Sequence, residues 1–81
     1  MTSVAERVIR VLSWSAMTPA AAVTPATAVA SLALGSLEQI ECVLALEDEF
    51  QLELPDPDLR RLQTVQDVVD VVERALARRP P

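Results

Sequence analysis

Four helix-start signals, spread along a chain of 81 residues, constrain its fold more than any other feature of the sequence. Three of them pair a hydroxyl residue with an acidic or amide residue three positions later, and the fourth places an aspartate directly before a proline. The four pairs are Ser3 with Glu6, Ser36 with Gln39, Asp56 with Pro57, and Thr64 with Asp67. No strand of any length fits the apolar pattern, so the sequence predicts an all-α fold.

The apolar spacing after each signal predicts three longer helices and one short third helix. Pro19 and Pro25, each preceded by a threonine, interrupt the region after the first helix, because proline and the residue before it disfavour continued helix. A long first connection is therefore expected. The predicted helices span residues 4 to 15 or 16, 36 to about 51, 56 to about 62, and 64 to a point before Pro80.

The residue types present exclude most chemistry of the chain's own. There is no His, one Cys, one Gly and only two aromatic residues, Trp14 and Phe50. These counts give no support for a zinc site, a Ser–His or Cys–His pair, a disulfide or a Gly-rich phosphate loop. Aromatic platforms for single-stranded nucleic acid are also lacking. We therefore predict a single small domain, residues 1–81, that is not an enzyme and holds no metal.

Negative charge is concentrated in one segment of the chain. The net charge is −5, which disfavours binding to nucleic acid. Residues 1–10 carry +1 and residues 59–81 carry +2, whereas the segment between 38 and 58 carries −8 without a single basic residue. Such a segment is either a solvated helix face or a docking patch for basic partners. Its acids are Glu38, Glu41, Glu47, Asp48, Glu49, Glu53, Asp56 and Asp58.

The 27 residues from Val11 to Leu37 carry no charge, which raises two alternatives to a loop. A membrane span is disfavoured by two prolines and seven hydroxyl residues within the stretch. A signal peptide would use Arg7 and Arg10 as its basic start, but Glu6 and the lack of a leucine-rich centre argue against it. We expect a loop, no membrane span, and, from the lone Cys, a reducing cytoplasm.

The second predicted helix has two different apolar faces. At about 100° per residue, four residues fall within one arc that we assign to the core, namely Cys42, Val43, Leu46 and Phe50. Leu37, Ile40 and Leu44 lie on roughly the opposite side, among acids. Scattered exposed apolar residues are normal, but an apolar contact rimmed by charge is typical of a partner surface. On the core side, Cys42 is interpreted as an apolar filler rather than a reactive thiol.

Three runs in the middle of the chain form a recognisable set: Leu34 to Glu41, Leu46-Glu47-Asp48-Glu49-Phe50, and Leu54-Pro55-Asp56. In these runs, and in the spacing between them, the chain resembles the acyl carrier proteins without a gap. The starts of the first and last helices are similar as well. The resemblance implies a four-helix bundle of carrier type that stores acyl groups as thioesters on a 4′-phosphopantetheine arm and performs no catalysis.

The resemblance also implies roles for particular residues. A phosphopantetheinyl transferase would attach the arm to Ser36, and acyl-loading and acyl-processing enzymes would dock on the acidic second helix through basic patches. We expect the carrier to be a monomer. The docking residues implied are the acids Glu38, Glu41, Glu47, Asp48 and Asp56 and the apolar residues Leu37, Ile40 and Leu44.

The sequence departs from the family pattern directly before Ser36. The family reads Asp-Ser-Leu, whereas this chain reads Gly35-Ser36-Leu37. Gly35 could relax the backbone entering the helix, and Ser36 with Gln39 could be only a helix cap. The departure favours a carrier for a specialised lipid or secondary-metabolite pathway. Two alternatives stay open: a carrier-like interaction module that is never pantetheinylated, and an aminoacyl or peptidyl carrier.

Overall fold

The computed structural model describes residues 2–54 and 61–78. Within these ranges the chain forms three α-helices, α1 (Val4–Ser15), α2 (Ser36–Phe50) and α3 (Val65–Ala77), with 3₁₀ turns at Ala20–Ala22 and Val29–Leu32. The only β-type pairing in the described part is one isolated bridge between Ala28 and Thr64. The all-α prediction is confirmed, and the three longer helices begin and end within two residues of the expected positions.

The short helix predicted from Asp56 lies mainly outside the described residues, and so does Asp56 itself. Of the helices in the described ranges, none has the length and the apolar character needed to cross a membrane.

A single core joins the three helices and the first connection. The residues predicted for the inner arc of α2, Cys42, Val43, Leu46 and Phe50, are all buried. They pack with branched aliphatic residues of the other elements, so the core is made mostly of Val and Leu side chains with one aromatic ring. Those partners are Val8, Leu12, Val23, Val29, Leu32, Leu54, Val65, Val68, Val69 and Val72.

One arginine joins the start of α1 to the end of α2. The Arg7 Nε–H donates to the Glu49 carboxylate at 2.7 Å, and its Nη2–H donates to the Glu49 backbone carbonyl at 2.8 Å. The same guanidinium lies over the Phe50 ring, 4.4 Å from its centroid. A cation at a helix C-terminus donates to a carbonyl that has no intrahelical partner and interacts favourably with the negative end of the helix dipole. We call this group of contacts the Arg7 clamp.

The clamp also shows how the two helices run. At the other end of α1, the Ser15 side chain lies beside the Cys42 thiol. Because Arg7 meets residues 49 and 50 while Ser15 meets residue 42, α1 and α2 are antiparallel. The C-terminal end of α1 therefore lies beside the first half of α2.

We predict that Arg7→Ala lowers the free energy of unfolding by about 1–2 kcal/mol. The loss combines charge-assisted hydrogen bonds with a cation–π contact, reduced because about a third of each charged side chain stays in water. Urea unfolding monitored by circular dichroism measures it. Arg10→Ala, an exposed arginine on the same helix, is the control and should change stability by no more than about 0.5 kcal/mol. Equal effects of the two variants would contradict the clamp.

The first connection is held against the start of α3 by backbone hydrogen bonds. The Val29 N–H donates to the Gln63 carbonyl, the Val65 N–H to the Thr27 carbonyl, and the Gln66 N–H to the Pro25 carbonyl, all at 2.9 Å. Val23, Val29 and Leu32 fix its inner side to the core. The predicted long loop is thus a defined segment that accepts from the N–H groups of Val65 and Gln66 in the first turn of α3.

The capping box predicted at the start of α3 is present. The Thr64 hydroxyl accepts from the Asp67 N–H at 3.3 Å, and the Asp67 carboxylate accepts from the N–H groups of Thr64 and Gln63 at 3.0 Å each. These backbone donors lower the pKa of Asp67, because they stabilise its charged form.

We predict that Asp67→Asn destabilises the fold at pH 7 and that the difference shrinks in acid. The pKa of Asp67 is lower in the folded chain, so its contribution is complete above the ordinary carboxyl pKa of about 4 and is lost as the pH falls through the lowered value. Thermal unfolding at pH 7 and near pH 2.5 measures the two gaps. Asp70→Asn is the control, since Asp70 accepts only from the Gln66 side chain. An equal gap at both pH values would contradict the charge-based account.

Candidate functional site

The candidate site is built at the first turn of α2. Gly35 is the N-cap, with extended backbone at φ −73° and ψ 176°, and its carbonyl accepts the first intrahelical bond from the Gln39 N–H at 2.9 Å. Ser36 is therefore the first helical residue. The prediction that Ser36 and Gln39 form a capping box is wrong, because the Gln39 side chain donates instead to the Leu34 carbonyl at 3.0 Å.

This geometry gives Ser36 a property that a capping serine lacks. Its side chain is exposed at the N-terminus of a 15-residue helix and has no capping function, since the cap is the preceding residue. The N–H groups of the first turn have no intrahelical partner there, and the helix dipole favours an anion. An exposed hydroxyl beside such donors fits a phosphodiester attached through its oxygen.

Gly35 does not need the conformational freedom of glycine. Its φ of −73° is open to any residue, so the interpretation that Gly35 relaxes the backbone is wrong. What its lack of a side chain provides is space. A Cβ at this position would lie 2.9 Å from a carboxylate oxygen of Glu38, whose side chain folds back over the N-cap. The carboxylate nearest to Ser36 in sequence thus comes from the first turn of α2 rather than from residue 35.

The outward face of α2 displays the apolar residues expected there. Leu37, Ile40 and Leu44 are 63%, 60% and 59% exposed, large fractions for such side chains. Glu41 and Asp48 lie on the same side and are also exposed. The predicted separation of α2 into a buried arc and an outward apolar face with acids is confirmed as geometry. We call Leu37, Ile40, Glu41, Leu44 and Asp48 the outer face of α2.

Among the acids of the segment that the structure describes, Glu47 and Glu49 are engaged within the fold. The Glu47 carboxylate accepts from the Leu54 N–H at 2.8 Å, and so fixes the chain as it leaves α2 through the left-handed residue Gln51. Glu49 is held by the Arg7 clamp. Sequence reasoning assigned Glu47 to docking and missed both contacts. No local pattern signals them, since the partners are 7 and 42 residues away.

Cys42 has the buried position predicted for it. Burial raises the pKa of its thiol, and the Ser15 side chain opposes this to a smaller extent. A thiol kept protonated in an apolar site is a poor nucleophile. Within residues 2–54 and 61–78, no group of His, Cys, Asp and Glu side chains has the arrangement of a metal site.

Comparison with known families identifies the kind of protein to which this chain belongs. The family model for the phosphopantetheine attachment site matches residues 3–72. The chain belongs to this family. Its members are carriers rather than enzymes, and the cofactor of the family is a covalently attached 4′-phosphopantetheine.

Relatives within the family are acyl carrier proteins. This carrier is similar to the acyl carrier protein of Bdellovibrio bacteriovorus, with 49% identity over 43 residues that make up 53% of this chain and 55% of that protein. It is also similar to the acyl carrier protein of Thermosynechococcus vestitus, with 45% identity over 42 residues, 52% of each. The chain spans about half the length of the curated relatives it matches.

Proposed function

We propose that this chain is an acyl carrier protein that holds acyl or polyketide intermediates on a phosphopantetheine arm at Ser36 and presents them to partner enzymes. The observation that supports it most directly is the position of Ser36. Its hydroxyl is exposed at the first helical residue, beside unpaired backbone N–H groups and next to a helix face of apolar and acidic side chains. A transferase can reach such a hydroxyl without unfolding any part of the domain.

Each group around Ser36 has a separate task in this proposal. The arm, when attached, supplies a thiol that holds the cargo as a thioester. The backbone N–H groups of Ser36 and Leu37 stabilise the negative charge next to the attachment oxygen. Gly35 has no side chain, and the Glu38 carboxylate occupies the space beside it.

Attachment at Ser36 is tested by intact mass after co-expression with a promiscuous phosphopantetheinyl transferase. We predict that the wild-type chain gains the mass of one phosphopantetheine and that Ser36→Ala gains none. Ser31→Ala is the matched control, because Ser31 is an exposed serine five residues earlier, in the first connection, whose hydroxyl donates to the Ala28 carbonyl. It should gain the arm like the wild type.

A different result would favour the second class of function. If the wild type gains no mass from any transferase while the unmodified chain still binds enzymes of its pathway, it is an interaction module and not a carrier. If an amino acid rather than an acyl group is loaded by the pathway's activating enzyme, the chain is an aminoacyl carrier.

We propose that partners dock on the outer face of α2. Their basic patches would meet Glu41 and Asp48, and their apolar residues would cover Leu37, Ile40 and Leu44, which rise along the helix from Ser36. Charge of opposite sign accelerates the encounter, while the apolar contact provides the buried centre. Glu38 extends the acidic rim in this proposal, whereas Glu47 acts mainly by holding Leu54. Asp56, which lies outside the described residues, is proposed as a further docking acid.

We predict that Glu41→Lys or Asp48→Lys lowers kcat/KM for arm transfer to Ser36 by about tenfold at low salt, because a like charge opposes the basic patch. The deficit should shrink at high salt, where exposed charges are screened. Circular dichroism melts should match the wild type. Glu73→Lys, a reversal at an exposed position of α3, is the control for net charge. The docking face is wrong if all three variants react alike.

The family departure at Gly35 supports a narrower proposal about the pathway. A carrier whose carboxylate near Ser36 comes from Glu38 presents a different surface to the transferase than one with an aspartate at residue 35. We propose that this carrier serves a specialised pathway with a transferase or partners matched to it. Gly35→Asp should improve loading by a general-purpose transferase if that is so.

A further inference from the structure

Two large apolar side chains at the end of α1 lie outside the site described above. Trp14 is 73% exposed and Met17 is 94% exposed. They are the chain's single tryptophan and one of its two methionines. An exposed Trp next to an exposed Met is unusual on a small domain whose other described large apolar residues are buried, half-buried or on the outer face of α2.

The backbone at this end displays Met17 at a cost in stability. The Thr18 N–H donates to the Ser13 carbonyl at 2.9 Å and the Met17 N–H to the Trp14 carbonyl at 3.2 Å, which is the Schellman closure of a helix. Met17 occupies its left-handed position, with φ of 53°. Glycine is favoured there, because a Cβ clashes in that conformation. Methionine nevertheless occupies this left-handed position, with its side chain almost fully exposed to water.

The antiparallel packing places Trp14 next to α2. Trp14 follows Arg7 by seven residues, so the two side chains leave α1 within about 20° of each other, and Arg7 reaches α2 at Glu49. The next residue, Ser15, lies beside Cys42. Trp14 thus flanks the first half of α2, at a level roughly 9 Å along the helix axis from Ser36.

We propose that Trp14 and Met17 form a second partner-contact surface, continuous with the outer face of α2, that packs on an apolar patch beside the basic docking patch of enzymes acting on this carrier. The proposal rests on the proposed function. On the helical wheel of α2, Glu38, Ala45 and the clamped Glu49 are the positions between Cys42, which lies beside Ser15, and Glu41 of the outer face. One partner surface can therefore cover Trp14 and Met17 together with the outer face of α2. Tryptophan is among the residues that contribute most to binding when covered at an interface.

An enzyme surface fits this position better than a second copy of the chain. Two side chains offer far less than the roughly 800 Å² per partner that a stable dimer buries. Together with the outer face of α2, however, Trp14 and Met17 enlarge a proposed contact surface whose acids already favour a basic partner. Arg10 is the charged residue of α1 nearest to Trp14. Around the α1 axis it points about 40° further from α2 than Trp14 does, so it does not lie between Trp14 and the outer face of α2.

Direct contact is tested by fluorine NMR. The carrier is produced with 5-fluorotryptophan, which gives one resonance because Trp14 is the only Trp. Unlabelled phosphopantetheinyl transferase is then added to the Ser36→Ala variant, so that binding is observed without turnover. We expect the resonance to shift or broaden in proportion to the enzyme bound. An unchanged resonance at saturating transferase, with binding confirmed by sedimentation, overturns the surface, and so does a shift that appears without enzyme as the carrier concentration rises.

Kinetics separate the surface from folding. Trp14→Ala should lower kcat/KM for arm transfer about tenfold, and Met17→Gly should lower it while raising the melting temperature, because glycine relieves the left-handed residue. Gln51→Gly is the matched control: Gln51 is exposed, has the same φ of 53°, and ends α2 at the far end from Ser36. It should leave kcat/KM unchanged.

Equal kcat/KM for wild type, Trp14→Ala and Met17→Gly overturns the surface while loading of Ser36 stands. A fluorine shift on enzyme binding without any loading of the wild type supports the surface and refutes attachment.

Discussion

The burial of one apolar arc of α2 is the interaction on which the remaining architecture depends. Cys42, Val43, Leu46 and Phe50 cover about a third of the helix circumference, and once they face the Val and Leu residues of α1 and α3, every other position of α2 has its direction fixed. The hydrophobic effect sets this rotation but not the position along the axis. The Arg7 clamp adds the second constraint, because its contacts to Glu49 and Phe50 allow only one antiparallel register.

Features encoded within one helical turn were predictable from sequence, and those that depend on distant partners were not. The start of α3 followed from Thr64 and Asp67, and the two faces of α2 followed from helical periodicity. The N-cap of α2 was predicted at Ser36 and lies at Gly35, one residue earlier. Either residue can cap the helix, and the Gln39 side chain donates to the Leu34 carbonyl instead of completing a capping box with Ser36. The Arg7–Glu49 contact and the pairing of the first connection with Gln63 join segments more than 30 residues apart, which no local pattern reports.

A scaffold of this kind needs very little polar chemistry in its interior. The described part of the core contains aliphatic residues, one ring and a thiol whose pKa is raised by burial. In the proposed function, the groups needed for carriage are the backbone N–H groups at the start of α2 and the exposed side chains on its outer face. The absence of His and the scarcity of Gly in the sequence are consistent with a domain whose reactive group is attached and whose catalysis is performed by other proteins.

The described acids of the acidic segment fall into two groups: those bonded within the fold and those exposed to solvent. The distinction limits which carboxylates a partner could contact. Glu47 is bonded to the Leu54 N–H and Glu49 to Arg7, so neither carboxylate can turn to a partner without releasing a contact that holds α2 in place. Glu38, Glu41 and Asp48 are exposed on α2. All the acids contribute to the long-range field that attracts a basic surface, since that field falls off over roughly 8 Å at physiological salt. In the proposed docking mode, short-range selection depends on the three exposed carboxylates of α2, Glu38, Glu41 and Asp48, and on the apolar residues between them. Reversal of a displayed acid should therefore affect recognition alone, whereas reversal of Glu47 or Glu49 should affect the fold as well.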